Sequence, residues 1–433
     1  MGMTDEGEGG DGLSGQLDRY AELLVRAGVD VQPGQELVVT CPVEAAPFCR
    51  RVVRAGYEAG AVRVTVDWTD DAVTRQTLER VPMGLLSTTP SWRRALLEDT
   101  AAAGACYLYL EGEDPGALAG VDPARPAAVR KARNTECLGW RRGMDFGRNA
   151  WCIAGVPTAA WARAVFPQVA RERGDDAAVL ALWRAVLAAA RADGPDPLGA
   201  WELHDREFDA NLDRLNGHRF DRLVYRSSNG TDLTVGLTPR HVWAGGSART
   251  TAPDAGGTRF GGARYFPNVP TEEVFTSPDR LRVDGVVRAV LPLVHAGSVV
   301  RDLWLRFEAG RVVEFGAAQG REVVERILET DEGARRLGEC ALISKDTPIR
   351  RSGLLFYSTL YDENASCHLA LGAGFPECYE GGEGMDVASL ERAGVNHSAT
   401  HVDFMIGADD LSVVGVTAGG DRVSVFEDGT WAW

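Results

Sequence analysis

Several common functional signals are absent from this sequence. Basic residues number 46 against 62 acidic ones, and the formal charge of −16 disfavours a nucleic-acid backbone or an anionic membrane surface as partner. No apolar run approaches the roughly 18 residues that a membrane-spanning helix needs. No glycine-rich phosphate-binding motif follows the first predicted strand, so nucleotide binding has no support. The eight cysteines form no C-x-x-C pair, which favours reduced thiols in a cytoplasmic protein.

The length and the order of the predicted elements indicate two domains after a short lead-in. Residues 1–15 are acidic and rich in glycine, without the basic and apolar stretches of a signal peptide, and we expect them to be disordered. Residues 16–205 alternate between predicted strands and helices, which is typical of a parallel α/β sandwich domain. The predicted strands of this domain are residues 36–40, 62–68, 105–110 and 151–154.

Residues 206–433 have a different pattern, with many alternating segments and few helices. Asn229-Gly230 separates two apolar segments and predicts a β-hairpin. We therefore predict an α/β fold class for the chain, in which the second domain is an α+β, sheet-rich domain.

The candidate chemistry lies near the end of the chain, where two of only seven histidines occur in carboxylate-rich segments. His368 ends the segment Asp362-Glu363-Asn364-Ala365-Ser366-Cys367-His368. If His401-Val402-Asp403 is a strand, His401 and Asp403 share one face because side chains alternate along a strand. Imidazole and carboxylate without paired cysteines are the ligands of a catalytic zinc, cobalt or manganese ion.

Isolated glutamates are harder to interpret. Glu272 and Glu273 occupy a proline-bounded loop, and adjacent glutamates in such a loop are usually only solvated. Glu339 is predicted to lie at the C-terminal end of a helix that begins near Thr330, where the helix dipole disfavours a negative charge. A solvated glutamate, or a turn with a buried structural histidine at His368, remains the alternative for each segment taken alone.

Four segments together resemble the aminopeptidase T and aminopeptidase S family of two-metal metallopeptidases. The matching segments are Pro270 to Thr276, Arg336 to Glu339, Asp362 to His368 and His401 to Gly407. The resemblance implies a dimeric enzyme that removes N-terminal residues from small peptides with broad preference, by means of two divalent ions (Zn, Co or Mn) and a metal-activated water. Carried over position by position, the implied metal ligands are Glu273, Glu339, His368, His401 and Asp403.

The family pattern also suggests roles for the remaining acidic residues and reveals one departure. Glu363 is the first candidate for the general base and Glu272 the second. The family usually has a tyrosine seven residues after the histidine of the D-E-N segment, but here that position is Phe375. A phenol donates a hydrogen bond to an oxyanion, and its loss costs about 3 kcal/mol of transition-state stabilisation. Tyr379 is the nearest phenol in the sequence and is the candidate replacement.

Two other functions remain open at this point. His368, His401 and Asp403 alone form the two-histidine, one-carboxylate set of non-haem iron oxygenases, some of which resemble this fold and cleave aromatic rings. A specialised amide hydrolase would use the same metal site on a narrower substrate. Phe375 would also suit a peptide-binding homologue with weak catalysis.

Overall fold

The structure is a computed structural model that describes residues 12–112, 114–295 and 298–433. The helices are α1 (Leu13–Leu23), α2 (Ala46–Glu58), α3 (Asp71–Arg80), α4 (Met83–Leu86), α5 (Ser91–Ala102), α6 (Ala124–Glu136), α7 (Leu138–Asp145), α8 (Ala159–Val165), α9 (Pro167–Arg173), α10 (Asp175–Ala189), α11 (Pro197–His218), α12 (Arg321–Leu328), α13 (Pro348–Ser352), α14 (Thr359–Asp362) and α15 (Val387–Arg392). Among the described residues, no helix combines the length and apolar character required to span a membrane.

The strands follow the same order along the chain. They are β1 (Glu36–Pro42), β2 (Arg63–Thr69), β3 (Cys106–Glu111), β4 (Trp151–Gly155), β5 (Phe220–Arg226), β6 (Asp232–Leu237), β7 (Ala244–Gly245), β8 (Ala248–Arg249), β9 (Arg264–Tyr265), β10 (Asn268–Val269), β11 (Val274–Thr276), β12 (Pro278–Arg288), β13 (Leu293–His295), β14 (Ser298–Val300), β15 (Trp304–Glu308), β16 (Arg311–Gly316), β17 (Leu337–Leu342), β18 (His368–Gly372), β19 (His401–Met405), β20 (Ser412–Thr417), β21 (Arg422–Glu427) and β22 (Thr430–Trp431).

The N-terminal part contains the predicted parallel sheet. Its strand order is β10-β4-β3-β1-β2, and every pairing in it is parallel. Strands β1, β3 and β4 are rich in buried apolar residues, as expected for parallel strands covered by helices, whereas edge strand β2 has no fully buried residue. The predicted α/β class and the four predicted strands of this part are therefore confirmed.

The predicted lead-in is too long at its C-terminal end. Helix α1 begins at Leu13, and it buries Tyr20, Ala21 and Leu23. Residues 13–15 are therefore helical, because they form the first turn of a segment that packs on one apolar face. Residues 1–11 of the lead-in lie outside the described residues.

The C-terminal part contains two large sheets, in agreement with the predicted sheet-rich fold. The eight-stranded sheet has the order β16-β15-β12-β6-β5-β20-β21-β22 and is antiparallel. Its β5–β6 hairpin pairs Arg226 with Asp232, and Gly230 in the turn has a φ of +100°. That left-handed backbone suits glycine and explains why Asn229-Gly230 marked the hairpin.

The chain divides into two compact units, and neither is one continuous segment. The second unit comprises Asp205–Gly246, Glu272–Leu354 and Tyr361–Trp433. The first contains the described residues up to His204 together with Ser247–Thr271 and Leu355–Leu360. The predicted single boundary after residue 205 would place Ser247–Thr271 and Leu355–Leu360 in the second domain. Strand β10 lies in Ser247–Thr271, and it pairs with β4 of the first unit.

The five-stranded sheet of the second unit has the order β19-β18-β17-β11-β7, and we call it the site sheet. Its two faces differ in chemistry because side chains alternate along each strand. One face contributes to the apolar core of the unit through Cys340, Leu342, Leu369, Leu371, Val402 and Phe404. The opposite face carries the candidate metal ligands of strands β17, β18 and β19.

Candidate metal centre

Glu339 lies within strand β17, and the prediction that it ends a helix is wrong. Helix α12 ends at Leu328, and Gly333–Arg335 forms only one turn of 3-10 helix before the strand. All six residues of β17 are buried, so burial between layers, and not local helix propensity, determines the conformation here. The carboxylate of Glu339 is only 5% exposed and needs a partner to compensate for its lost hydration.

The H-x-D segment forms a strand, as predicted. In β19, Val402 and Phe404 point into the apolar core, whereas His401 and Asp403 lie on the opposite face. Neighbouring β18 begins at His368, which pairs with Met405, while Ala370 pairs with Asp403. The sheet register therefore aligns these polar side chains on one face.

The five residues implied to bind metal converge in two groups that share one carboxylate. In the first group, His368 Nε2 lies 3.3 Å from Glu273 Oε2 and 3.9 Å from Glu339 Oε2. In the second, His401 Nε2 lies 3.1 Å from both Glu339 Oε2 and Asp403 Oδ1. Within each group the candidate ligand atoms all lie within 4.8 Å of one another. Glu339 belongs to both groups.

Backbone carbonyls orient both imidazole rings. His368 Nδ1 lies 3.1 Å from the carbonyl oxygen of Glu363 and 3.3 Å from that of Ser366. His401 Nδ1 lies 2.8 Å from the carbonyl oxygen of Ala373. A carbonyl oxygen only accepts hydrogen bonds, so Nδ1 carries the proton in each ring. Nε2 is thereby directed at the carboxylates, which is the usual arrangement around a metal-binding histidine.

Burial and mutual repulsion disturb the carboxylic acids of this cluster. Burial raises the pKa of Glu339 to about 7, although the hydrogen bond from His401 lowers it and the charges of Glu273 and Asp403 raise it further. Burial, followed by repulsion from Glu273 and Asp403, raises the pKa of Glu363 well above its usual range. Four carboxylates are thus crowded into one weakly hydrated place, and a cation would relieve their repulsion.

The neighbouring carboxylates also raise the pKa of both imidazoles. Burial alone would lower the pKa of His368, but the hydrogen bond to Glu273 and the charge of Glu339 raise it to about 10. Burial likewise opposes the charged form of His401, whereas Asp403 and Glu339 raise its pKa to about 11. Protons on these rings offset part of the negative charge. Divalent cations that accept nitrogen and carboxylate oxygen ligands suit this donor set.

The two candidate general bases occupy different positions. Glu363 is half-buried, and its charge interacts with Glu273 and Asp403, so it faces the cluster. Glu272 is buried, and its backbone N–H donates to Asn364 Oδ1 at 2.7 Å. Of this adjacent pair of glutamates, Glu273 belongs to one of the two ligand groups found among the described residues, and Glu272 belongs to neither.

Hydrogen bonds from the D-E-N-A-S segment to two other loops also hold the site together. These bonds are not predicted from the sequence. Asn364 accepts the Glu272 N–H, and Ser366 Oγ accepts the Gly407 N–H at 2.8 Å. These bonds connect the segment to the loop before β11 and to the loop after β19. The unusual run of polar residues within apolar flanks was the available signal, but their partners are distant in sequence.

Phe375 lies against the cluster, at the position where the family resemblance implies tyrosine. Its ring centroid is 5.1 Å from that of His401 and 5.3 Å from that of Phe275. Tyr379, the nearest phenol in the sequence, instead packs its ring 5.1 Å from the guanidinium of Arg240.

Comparisons with known proteins identify the same family that the sequence resembles. The family model described as thermophilic metalloprotease (M29) matches residues 13–431. Aminopeptidase 2 of Geobacillus stearothermophilus is 42% identical over 418 residues, covering 96% of this chain and 98% of that protein. Aminopeptidase T of Thermus aquaticus is 41% identical over 425 residues, covering 97% and 99% respectively.

Solved structures give the same result for the fold. Wild-type AmpT from Thermus thermophilus superposes with a TM-score of 0.87 at 38% identity, covering 97% of this chain and all (100%) of that one. A 2,5-dihydroxypyridine dioxygenase from Pseudomonas putida KT2440 has a TM-score of 0.50 at 11% identity, over 96% of each chain, which is a likeness of fold alone. The oxygenase and the non-catalytic alternatives are therefore not favoured. The chain belongs to the thermophilic metalloprotease family (M29).

Proposed function

We propose that this protein is a metal-dependent aminopeptidase that hydrolyses the N-terminal peptide bond of small peptides. Its proposed ligands are Glu273, Glu339, His368, His401 and Asp403. The observation that carries the proposal is the shared carboxylate of Glu339, which belongs to both ligand groups. If divalent ions bind at both groups, Glu339 would be a ligand available to both of them.

The residues of the cluster also suit a substrate with a free amino terminus. The free amine of a peptide would bind an acidic side chain of the cluster or a bound metal ion. A peptide without a free amine would lack this interaction, which favours removal of terminal residues over internal cleavage. The chemistry that bound divalent ions supply here is Lewis acidity toward water and toward a carbonyl oxygen.

Glu363 is the proposed proton carrier. Its charge interacts with Glu273 and Asp403, so it lies close enough to the cluster to exchange a proton with a water bound there. We propose that it accepts a proton from the attacking water and returns it to the amine that leaves. Glu272 is the second candidate, supported by its position next to Glu273 and by the bond that fixes its backbone to Asn364.

Three further properties extend the proposal. Zinc, cobalt and manganese all accept this mixture of nitrogen and oxygen ligands, so each is a candidate for the native metal. The family resemblance suggests a homodimer, which sedimentation would test. All eight cysteines are buried without disulfide bonds, which supports a reducing compartment such as the cytoplasm.

The test is turnover of aminoacyl-anilides and dipeptides by metal-stripped protein reloaded separately with Zn, Co, Mn or Fe. We expect Zn, Co or Mn to restore activity, and we expect an N-acetylated substrate to be refused. His401→Ala removes a proposed ligand and should reduce both the bound metal and kcat/KM by about a hundredfold or more.

His218→Ala is the matched control. His218 lies in the same unit but is exposed, and its ring stacks on Phe220 at 5.1 Å instead of facing the carboxylates. The control should retain the metal and the activity. Full turnover by His401→Ala, or no turnover by wild-type protein that holds stoichiometric metal, would contradict the proposal.

A further inference from the structure

Two phenylalanines form an aromatic wall beside the candidate metal centre. Phe275 lies on β11, two residues after Glu273, and Phe375 lies in the loop that follows β18. Their centroids are 5.3 Å apart with an interplanar angle of 66°, an edge-to-face arrangement that favours a fixed geometry. Both side chains are half-buried, and neither belongs to the apolar core cluster of the unit.

The wall lies on the same face of the site sheet as the proposed ligands. In the register of the sheet Phe275 pairs with Ala341, and Ala341 pairs with His368. The next position on this face is Ala370, which pairs with Asp403. Ala341 therefore lies between Phe275 and His368 across the sheet, and Ala370 lies between Glu339 and Asp403, so small side chains adjoin the aromatic wall and the proposed ligands on this face.

The backbone of Phe375 is held firmly in place. Its N–H donates to Ser277 Oγ at 2.8 Å, and Ser277 is only 1% exposed. The preceding Gly374 donates to the carbonyl oxygen of Asn396 at 2.8 Å. A ring fixed in this way loses little conformational freedom when an apolar group packs against it, which is the property of a binding wall.

We infer that Phe275 and Phe375 form the subsite for the side chain of the substrate's N-terminal residue, and that this subsite selects large apolar side chains. The inference rests on the proposed aminopeptidase function. An amine held at the carboxylate cluster places its own side chain within a few ångströms, where the wall is the adjacent apolar surface. Leucine and phenylalanine bury apolar area there, whereas alanine and glycine do not.

The same position disfavours an acidic N-terminal residue. A side-chain carboxylate packed against the two rings would lose hydration without gaining a hydrogen-bond donor from them. The expected order of kcat/KM is therefore leucine and phenylalanine first, alanine next, and aspartate last.

The test is the ratio of kcat/KM for leucyl- and alanyl-anilide in wild-type protein and in Phe275→Ala and Phe375→Ala. The wild-type ratio should be about tenfold or more, which is typical of discrimination in an apolar pocket. Each substitution should bring the ratio close to one, mainly through KM for the leucyl substrate. The inhibition constants of free leucine and alanine give a second readout that does not depend on turnover.

Phe315→Ala is the matched control. Phe315 lies on β16 of the same unit and is also half-buried, but its ring packs against the guanidinium of Arg321. This substitution should leave the ratio unchanged. Phe275→Leu and Phe375→Leu, expected to give intermediate ratios, replace any alanine variant that fails to fold. Metal content, measured for every variant, should match that of the wild type.

The outcomes separate this inference from the proposed function. Equal kcat/KM for leucyl and alanyl substrates in an active wild-type enzyme would overturn the subsite and leave the aminopeptidase intact. A wild-type ratio that survives loss of both rings would do the same. Absence of turnover for every substrate would overturn the proposed function and the subsite with it.

Discussion

The side chain at position 375 determines which interactions the wall can offer to a reacting carbonyl. Phe375 contacts His401 through its ring alone, and a phenylalanine has no donor for an oxyanion. The family resemblance implies tyrosine at this position. Residue 375 therefore donates no hydrogen bond to an oxyanion during catalysis by this protein.

Restoring that phenol gives a test at the scale of one residue. Phe375→Tyr retains the ring and adds a donor, so we expect kcat to rise by up to about a hundredfold, equally for all substrates. Steady-state kinetics on the leucyl- and alanyl-anilides would measure this. Phe275→Tyr is the control, since it adds a hydroxyl to the neighbouring ring at a position with no implied catalytic role. A lower kcat in Phe375→Tyr would mean that the hydroxyl disturbs His401.

At the scale of an element, Asp331 fixes the loop that leads into β19. Its carboxylate accepts hydrogen bonds from Ser398 Oγ and the Ala399 N–H, both at 2.7 Å, and from the Ala334 N–H at 2.8 Å. Partial burial by itself raises the pKa of Asp331, but these hydrogen bonds outweigh it and lower the pKa on balance. The ionised form is therefore the one that stabilises the loop.

This pKa shift predicts a pH-dependent stability. A depressed folded pKa contributes stability above the unfolded value, about 3.9 for aspartate, and that contribution disappears as the pH falls through the folded value. Asp331→Asn should therefore lower the free energy of unfolding by about 1–3 kcal/mol at pH 7, with a smaller difference near pH 3. Urea titrations of both proteins at the two pH values would check this. A difference that does not depend on pH would show that the charge of Asp331 is not responsible.

A glycine at the end of β18 is required by the close approach of β19. Gly372 has a φ of +109°, and an added Cβ would lie 2.1 Å from the carbonyl oxygen of Thr400. Gly372→Ala should therefore shift the start of β19, lower the free energy of unfolding by more than about 1 kcal/mol, and weaken metal binding at His401. Thermal unfolding and metal titration measure the two effects. Gly384→Ala is the control, since nothing lies within 4 Å of its added Cβ; equal effects of the two substitutions would contradict this account.

The elements that sequence predicted well are those whose local pattern agrees with their environment. The alternation around His401 identified β19 because one face of that strand is apolar and the other polar. The sequence pattern predicts a helix end at Glu339, although this residue lies in strand β17. Because β17 is buried on both faces, its sequence does not alternate between apolar and polar residues as a half-buried strand does. The backbone carbonyls that orient the two histidines have no sequence signature, since every residue has one.

At the scale of the whole molecule, metal binding and stability should be coupled. The ligands come from β17, β18, β19 and the residue before β11, so an unfolded chain does not present them together. Chelation should therefore lower the unfolding temperature by several degrees, and divalent metal should restore it. Differential scanning calorimetry with and without chelator would measure the shift. Glu339→Gln loses the shared carboxylate and should respond less; an equal response would argue against Glu339 as a ligand.

The discontinuous composition of the two units restricts how this protein can be divided. A fragment that stops at His204 lacks β10, the edge strand that pairs with β4 through Asn268 and Val269. The complementary fragment carries that strand without its sheet. Recombination between related proteins at a single crossover near His204 would therefore pair β4 of one parent with β10 of the other.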